Sequence, residues 1–87
     1  MSYYVYILKC SDETFYTGIT TDILRRLYEH NESSKGAKYT KLRRPVELVY
    51  SEVCEDRSSA SKREYVIKRF SRVKKIELIE STKEKLC

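Results

Sequence analysis

A chain of 87 residues with a formal net charge of +5 is enough for one domain with a modest core and too short for two, and its basic balance favours an anionic partner, nucleic acid first. No apolar run reaches the about 18 residues a membrane helix needs, and the opening MSYYVYILKC lacks the basic and small-residue landmarks of a secretory signal, so a cytoplasmic protein with no membrane partner is expected. Cys10, Cys54 and Cys87 are odd in number and widely spaced, with no CxxC or Cys/His cluster, which points to reduced thiols and away from zinc.

Tyr4 to Lys9 is β-branched and aromatic and reads as a strand. Ser11-Asp12-Glu13-Thr14 is a polar link of hairpin length, and Phe15 to Thr20 makes a second strand antiparallel to the first. Gly18 within it marks a bulge or a close backbone approach. Thr21 or Asp22 caps the next helix, whose apolar stripe is Ile23, Leu24, Leu27 and Tyr28. Arg26 and His30 are neighbours on one flank of that stripe, at the border of core and water. The helix fades over Asn31 to Ser34.

Lys35 to Arg44, KGAKYTKLRR, holds five basic residues and no acid. It reads as a loop or short helix, stopped by Pro45. Val46 to Val53 partly alternates apolar and polar, as a third strand does. Ser58 or Ser59 caps a second helix with Ala60, Arg63, Ile67 and Phe70 on one face and Val66 beside them. Lys74 to Ile79 forms a last short helix, and the polar tail, residues 83–87 at its end, is expected to fray. The order β-β-α-β-α-α, one domain over residues 1–82, is an α+β architecture.

Some of these residues carry chemistry. A cation at the border of a core, as Arg26 is placed, pulls strongly on phosphate. Glu64 lies about a quarter turn from the centre of its helix's stripe. It either pairs with Lys68 one turn on or offers a hard carboxylate to Mg²⁺, which commonly takes only one or two protein carboxylates. KGAKYTKLRR is either a solvated charge run or a phosphate-contacting patch with Tyr39 available to stack on a base. With two glycines the chain has no phosphate-cradling loop, and with a single histidine and no GxSxG it has no serine-hydrolase triad.

The ordered set resembles a known family. Tyr4-Val5-Tyr6 stands in the first strand and Tyr16-Thr17-Gly18 in the second. Arg26 follows Tyr16 by ten residues, His30 comes four later, and a helical Glu64 follows the third strand. This pattern is similar to that of the GIY-YIG nuclease superfamily, closest to its small stand-alone bacterial branch (UPF0213-like), with GAKYT, RRPVELVY and the RE-x-x-IKR around Glu64. The triplets read YVY and YTG here, so Tyr4 takes a glycine slot, and the region RVKKIELI lacks the asparagine many members place there.

The resemblance implies a central three-stranded antiparallel sheet flanked by helices. It also implies hydrolysis of phosphodiester bonds in DNA; a role in repair or processing and a monomeric state are expected beside it. The site carried over is Tyr6, Tyr16, Arg26, His30 and Glu64, with Glu64 holding one Mg²⁺ or Mn²⁺. Arg26 would counter charge building on the phosphate. Tyr6, Tyr16 or His30 would take the proton of the attacking water, a nearby cation lowering the phenol's pKa and His30 titrating near its ordinary value. Gly18 would leave room for the DNA backbone, and Lys35, Lys38, Tyr39, Lys41, Arg43 and Arg44 would contact nucleic acid. The alternative is a nucleic-acid-binding module of the same fold with weak or no cleavage. Tyr6 and Tyr16 converge only if the hairpin register turns them to one face.

Overall fold

A computed structural model describes the backbone of residues 2–85. Leu86 and Cys87 lie outside the described residues, and with them part of the tail expected to fray and the third thiol. The elements are β1 (Tyr3–Lys9), β2 (Phe15–Thr20), α1 (Ile23–Glu32), α2 (Lys38–Lys41), β3 (Glu47–Cys54), α3 (Arg57–Lys68) and α4 (Arg72–Lys85). The sheet has the order β2-β1-β3, antiparallel throughout. The central strand is therefore the most buried, and Val5, Tyr6, Ile7 and Leu8 are each at most 2 % exposed.

The hairpin closes through Cys10 N–H to Thr14 O at 2.8 Å and Glu13 N–H to Cys10 O at 2.9 Å. The Asp12 carboxylate accepts from the Thr14 backbone and hydroxyl inside the turn. This closure sets Tyr6 opposite Gly18 and Leu8 opposite Tyr16. Tyr6 and Tyr16 thus share a face, because side chains alternate along a strand. Val5, Ile7 and Phe15 point the other way and pack with Ala60, Ile67, Phe70 and Ile79 of α3, α4 and the turn between them. Tyr6, Leu8 and Tyr16 pack with Cys10, Val46 and Leu27 of α1. The sheet is covered on both faces. Val49 is the extra residue where the β1–β3 register slips between Ile7 and Leu8.

α1 is rotated from the orientation its apolar residues predict. Leu24 is 77 % exposed and Tyr28 56 % exposed. The inward stripe is Ile23, Arg26, Leu27, His30 and Asn31, with His30 wholly buried. These positions keep helical spacing, yet three of the five are polar. Each polar member finds partners, which offsets the cost of burial. The Asn31 amide, for example, donates to Val46 O at 2.9 Å and accepts from Val46 N–H at 2.7 Å.

Asp22 caps α1 by accepting from Arg25 N–H at 3.1 Å. Asp56, ahead of the serines expected to cap, starts α3 by accepting from Ser59 N–H at 2.8 Å. That leaves Ser58 and Ser59 in the first turn. Val66 is 43 % exposed, outside the inner face. α4 extends well beyond residues 74–79, and Ser71 Oγ accepts from Lys74 N–H at its start. Cys10 and Cys54 are free thiols, both pushed up in pKa chiefly by burial. No helix among the described residues is long and apolar enough to cross a membrane.

Candidate active site

Tyr6 sits at the centre of β1, facing α1. Its ring lies across Gly18 on the neighbouring strand: a Cβ there would stand 2.5 Å from Tyr6 Oη and 2.7 Å from Cζ. The close approach that Gly18 serves is therefore the Tyr6 phenol, where room for a DNA backbone was expected. The Tyr6 hydroxyl is hydrogen-bonded to His30 Nε2 at 2.8 Å, and His30 Nδ1 to Thr40 Oγ1 at 2.8 Å. Both His30 and Thr40 are fully buried. The Tyr16 ring packs edge-on to His30 with centroids 5.1 Å apart, and 6.5 Å from that of Tyr6.

Arg26 enters from α1. One of its nitrogens, Nη1, donates to Glu29 Oε1 at 2.9 Å and to Lys35 O at 3.0 Å. The guanidinium lies beside the Tyr6 phenol, and the Glu64 carboxylate on α3 is close enough for its charge to act there too. The other four residues named from the sequence, Tyr16, Arg26, His30 and Glu64, thus lie about Tyr6. Glu64 is half-buried and has Lys68 Nζ 3.5 Å from Oε2.

The ionisation of this cluster reverses the sequence-based expectation. Burial, then the neighbouring Tyr16, pushes the Tyr6 pKa up to about 12, against the pull of Arg26. Burial, then the Arg26 charge, lowers the His30 pKa from 6.5 to about 4. Both groups are neutral at pH 7, because loss of water outweighs the nearby cation at the phenol and adds to it at the imidazole.

The basic segment divides in two. Arg44 donates from Nε to His30 O at 2.6 Å and from Nη2 to Ser33 O at 2.6 Å and Glu29 O at 3.2 Å. It closes the C-terminal end of α1, where carbonyls lack partners and the helix dipole is negative. Arg43 pairs with Asp12 at 3.0 Å and donates to Tyr39 O. Its guanidinium lies 3.8 Å from the Tyr39 ring centroid, and that ring also stacks on Tyr16. Tyr39, Arg43 and Arg44 are therefore occupied within the fold, and Lys35, Lys38 and Lys41 are the exposed cations of the segment. Gly36 lets the segment dock, since a Cβ there would lie 2.5 Å from Glu29 O. Sequence reasoning passed over Gly36, Thr40 and Asn31. The pattern GAKYT held Gly36 and Thr40, and nothing in the pattern pointed to Asn31.

Among the described residues no three His, Cys, Asp or Glu side chains gather to hold a metal. One half-buried carboxylate beside phenols and an arginine suits Mg²⁺ or Mn²⁺, hard ions that fill their remaining positions with water and phosphate oxygen. It does not suit zinc, which takes several nitrogen or sulfur ligands.

The GIY-YIG catalytic domain family matches residues 2–77. The chain belongs to the GIY-YIG family. It is 57 % identical over 83 residues to the UPF0213 protein DP2720 of Desulfotalea psychrophila, covering 95 % of this chain and 76 % of that one. It is 56 % identical over 77 residues to the UPF0213 protein SSP2268 of Staphylococcus saprophyticus, covering 88 % and 93 %. Among solved structures it is similar to the NMR structure of the protein EF2693 from E. faecalis. That match has 44 % identity and a TM-score of 0.65, and covers 94 % of this chain and 86 % of the other. The NMR structure of the UPF0213 protein BH0048 from Bacillus halodurans matches at 46 % identity and a TM-score of 0.59, covering 92 % and 84 %. A GIY-YIG domain is nuclease-like, and in this one the Tyr-Arg-His-Glu set surrounds a single phenol.

Two results are expected of this GIY-YIG domain. Arg44→Ala removes charge-assisted bonds to three carbonyls and should cost about 2–3 kcal/mol, a fall of roughly 10–20 °C in Tm for a domain of this size. Thermal melts check it; a wild-type Tm would return Arg44 to the surface role. Lys41→Ala should leave Tm unchanged.

Stability should also fall with acid through His30. Its folded pKa of about 4 lies below the unfolded 6.5, so between those values the unfolded chain binds more protons. The contribution is complete above pH 6.5 and is lost as pH falls towards 4. At about 1.4 kcal/mol per pH unit this amounts to roughly 3 kcal/mol. Urea midpoints near pH 7 and near pH 4.5 measure it, and in His30→Gln most of the difference should disappear. Asp12, Glu29 and Asp56, held below the usual carboxylate range by their hydrogen bonds, lose theirs mostly further down.

Proposed function

We propose that this GIY-YIG domain is a metal-dependent endonuclease that hydrolyses phosphodiester bonds in DNA, acting as a cytoplasmic monomer in DNA repair or processing. The observation that carries the reading is the buried 2.8 Å bond between Tyr6 and His30 with Tyr16, Arg26 and Glu64 around it. Packing alone gives no reason to gather a base, a cation and a carboxylate about one phenol.

In this reading Arg26 takes a non-bridging phosphate oxygen, and its charge opposes the charge that builds in the transition state. The Tyr6 and Tyr16 hydroxyls orient the attacking water. His30 is neutral and so free to accept a proton, directly or through Tyr6. The phosphate helps it to do so: its negative charge at Arg26 cancels the cation that adds to burial in holding the His30 pKa down. Glu64 would hold Mg²⁺ or Mn²⁺, which when bound polarises the phosphoryl group and stabilises the departing oxygen. Lys68 would leave the Glu64 carboxylate for a neighbouring phosphate. Lys35, whose carbonyl already touches Arg26, would guide the backbone with Lys38 and Lys41, giving salt-dependent affinity.

A second reading, a binding module with little cleavage, is favoured by the absence of asparagine from α4. It is favoured too by the depth of Tyr6, 2 % exposed, and His30, 0 % exposed. The two are separated by incubating purified protein with single-stranded, duplex, flap and branched DNA and with RNA, in Mg²⁺, in Mn²⁺ and in chelator, at low and high salt. Cleavage of DNA that needs the metal supports the endonuclease. Salt-dependent binding without cleavage in any metal supports the module.

A further inference from the structure

Thr40 lies in the segment expected to contact nucleic acid, yet its side chain is wholly buried behind His30. The hydrogens of the Tyr6–His30–Thr40 chain can be assigned from the partners at its two ends. At one end, Thr40 Oγ1 has a single proton and lies 2.9 Å from Ala37 O, which can only accept. At the other end, the Tyr6 phenol is buried, with its oxygen 2.8 Å from His30 Nε2. The guanidinium of Arg26 beside it can only donate.

Two tautomers of His30 are possible. With the proton on Nε2, the imidazole donates to Tyr6 and, among the described residues, the Tyr6 proton has no acceptor within hydrogen-bond distance. A buried unmade hydrogen bond of that kind costs about 1–3 kcal/mol. With the proton on Nδ1, the three side-chain donors of the chain are used, Tyr6 to Nε2, Nδ1 to Thr40, and Thr40 to Ala37 O, and only the weak Ala37 N–H contact is given up. The Ala37 N–H also faces Nδ1, but at 3.5 Å it is at the limit of a hydrogen bond and gives way to the 2.8 Å contact.

We infer that Thr40 is a positioning residue that holds His30 as the Nδ1–H tautomer, so that Tyr6 donates into His30 and turns its oxygen lone pairs to the site. The consequence for chemistry rests on the endonuclease reading. A water bound to the Tyr6 oxygen gives a proton to that oxygen as the water oxygen joins phosphorus and the bond from phosphorus to the departing sugar oxygen breaks, that oxygen then taking a proton from solvent. The original Tyr6 proton passes to Nε2, leaving a neutral phenol and an imidazolium whose Nδ1–H stays on Thr40. The opposite tautomer has no lone pair at Nε2 and cannot complete the transfer.

The test uses the single histidine of the chain. Long-range ¹H–¹⁵N spectra of uniformly ¹⁵N-labelled protein near pH 7 report which ring nitrogen is protonated. Nδ1–H in the wild type, Nε2–H in Thr40→Val and Nδ1–H again in Thr40→Ser support the assignment. Nε2–H in the wild type overturns it without any variant having to fold, and Nδ1–H retained in a folded Thr40→Val overturns the role of Thr40. In cleavage assays Thr40→Val should lower kcat on the order of tenfold to a hundredfold with KM unchanged. A loss confined to KM would count against a positioning role. A protein with the Nδ1–H tautomer that cleaves nothing would sustain the assignment and sink the endonuclease reading, so the two fail separately.

Discussion

Glu64→Ala is expected to abolish measurable cleavage, a loss on the order of a thousandfold or more, while DNA binding and the fold survive. The size follows from the chemistry assigned to the residue. Metal stabilisation of the leaving oxygen is worth several kcal/mol, and about 1.4 kcal/mol is a factor of ten in rate. Among the described residues no cluster of ligating side chains offers a substitute. The fold should tolerate the change because Glu64 is only half-buried and its ion pair with Lys68, at 3.5 Å, is an exposed one that contributes a few tenths of a kcal/mol. Alanine is also a better helix former than glutamate. Single-turnover cleavage, salt-titrated binding and a thermal melt on the same preparation decide it. Activity equal to wild type would remove the one-carboxylate site and would identify a contaminating nuclease or another centre.

Tyr6→Phe should lower turnover by about a hundredfold to ten-thousandfold, the range for a positioned proton-transfer group. The substitution keeps the ring that lies over Gly18 and deletes only the hydroxyl, so it separates the two roles a strand tyrosine can have. If Tyr6 serves packing, Phe is nearly silent in cleavage. If it carries the proton, binding is kept and chemistry is lost. A stability cost of about 1–3 kcal/mol is also expected, because His30 Nε2 is left buried with no partner. Both effects can be read in one series, with cleavage rates measured well below the lowered Tm. A rate within a few-fold of wild type would leave Tyr6 as core only.

Tyr6, Tyr16, Arg26, His30 and Glu64 were legible as a set because their spacing follows the elements that carry them. Their environment was not legible. The apolar residues of α1 predicted a stripe through Leu24 and Tyr28, and both are exposed. Hydrophobic periodicity treats an inward polar residue as an outward one, and here His30 is buried and Asn31 half-buried because Tyr6, Thr40 and Val46 supply their hydrogen bonds. Arg43 and Arg44 looked like free cations for the complementary reason. Their partners, Asp12 and the last carbonyls of α1, are distant in sequence or belong to the backbone, and neither appears in a charge count.

The sequence by itself determined the order of elements, the hairpin turn and the ends of β2, and its family pattern pointed to Tyr6, Tyr16, Arg26, His30 and Glu64. Those depend on local propensity, turn chemistry and motif spacing, which act over a few residues. Only the tertiary structure decided the rotation of α1, the register that sets Tyr6 across Gly18, the neutral state of Tyr6 and His30, and the place of Thr40 behind the imidazole. These depend on burial and on hydrogen bonds between segments 10 to 24 residues apart. Burial shifts a pKa, selects a tautomer and allows a polar residue to face inward only when the packed partners are in place.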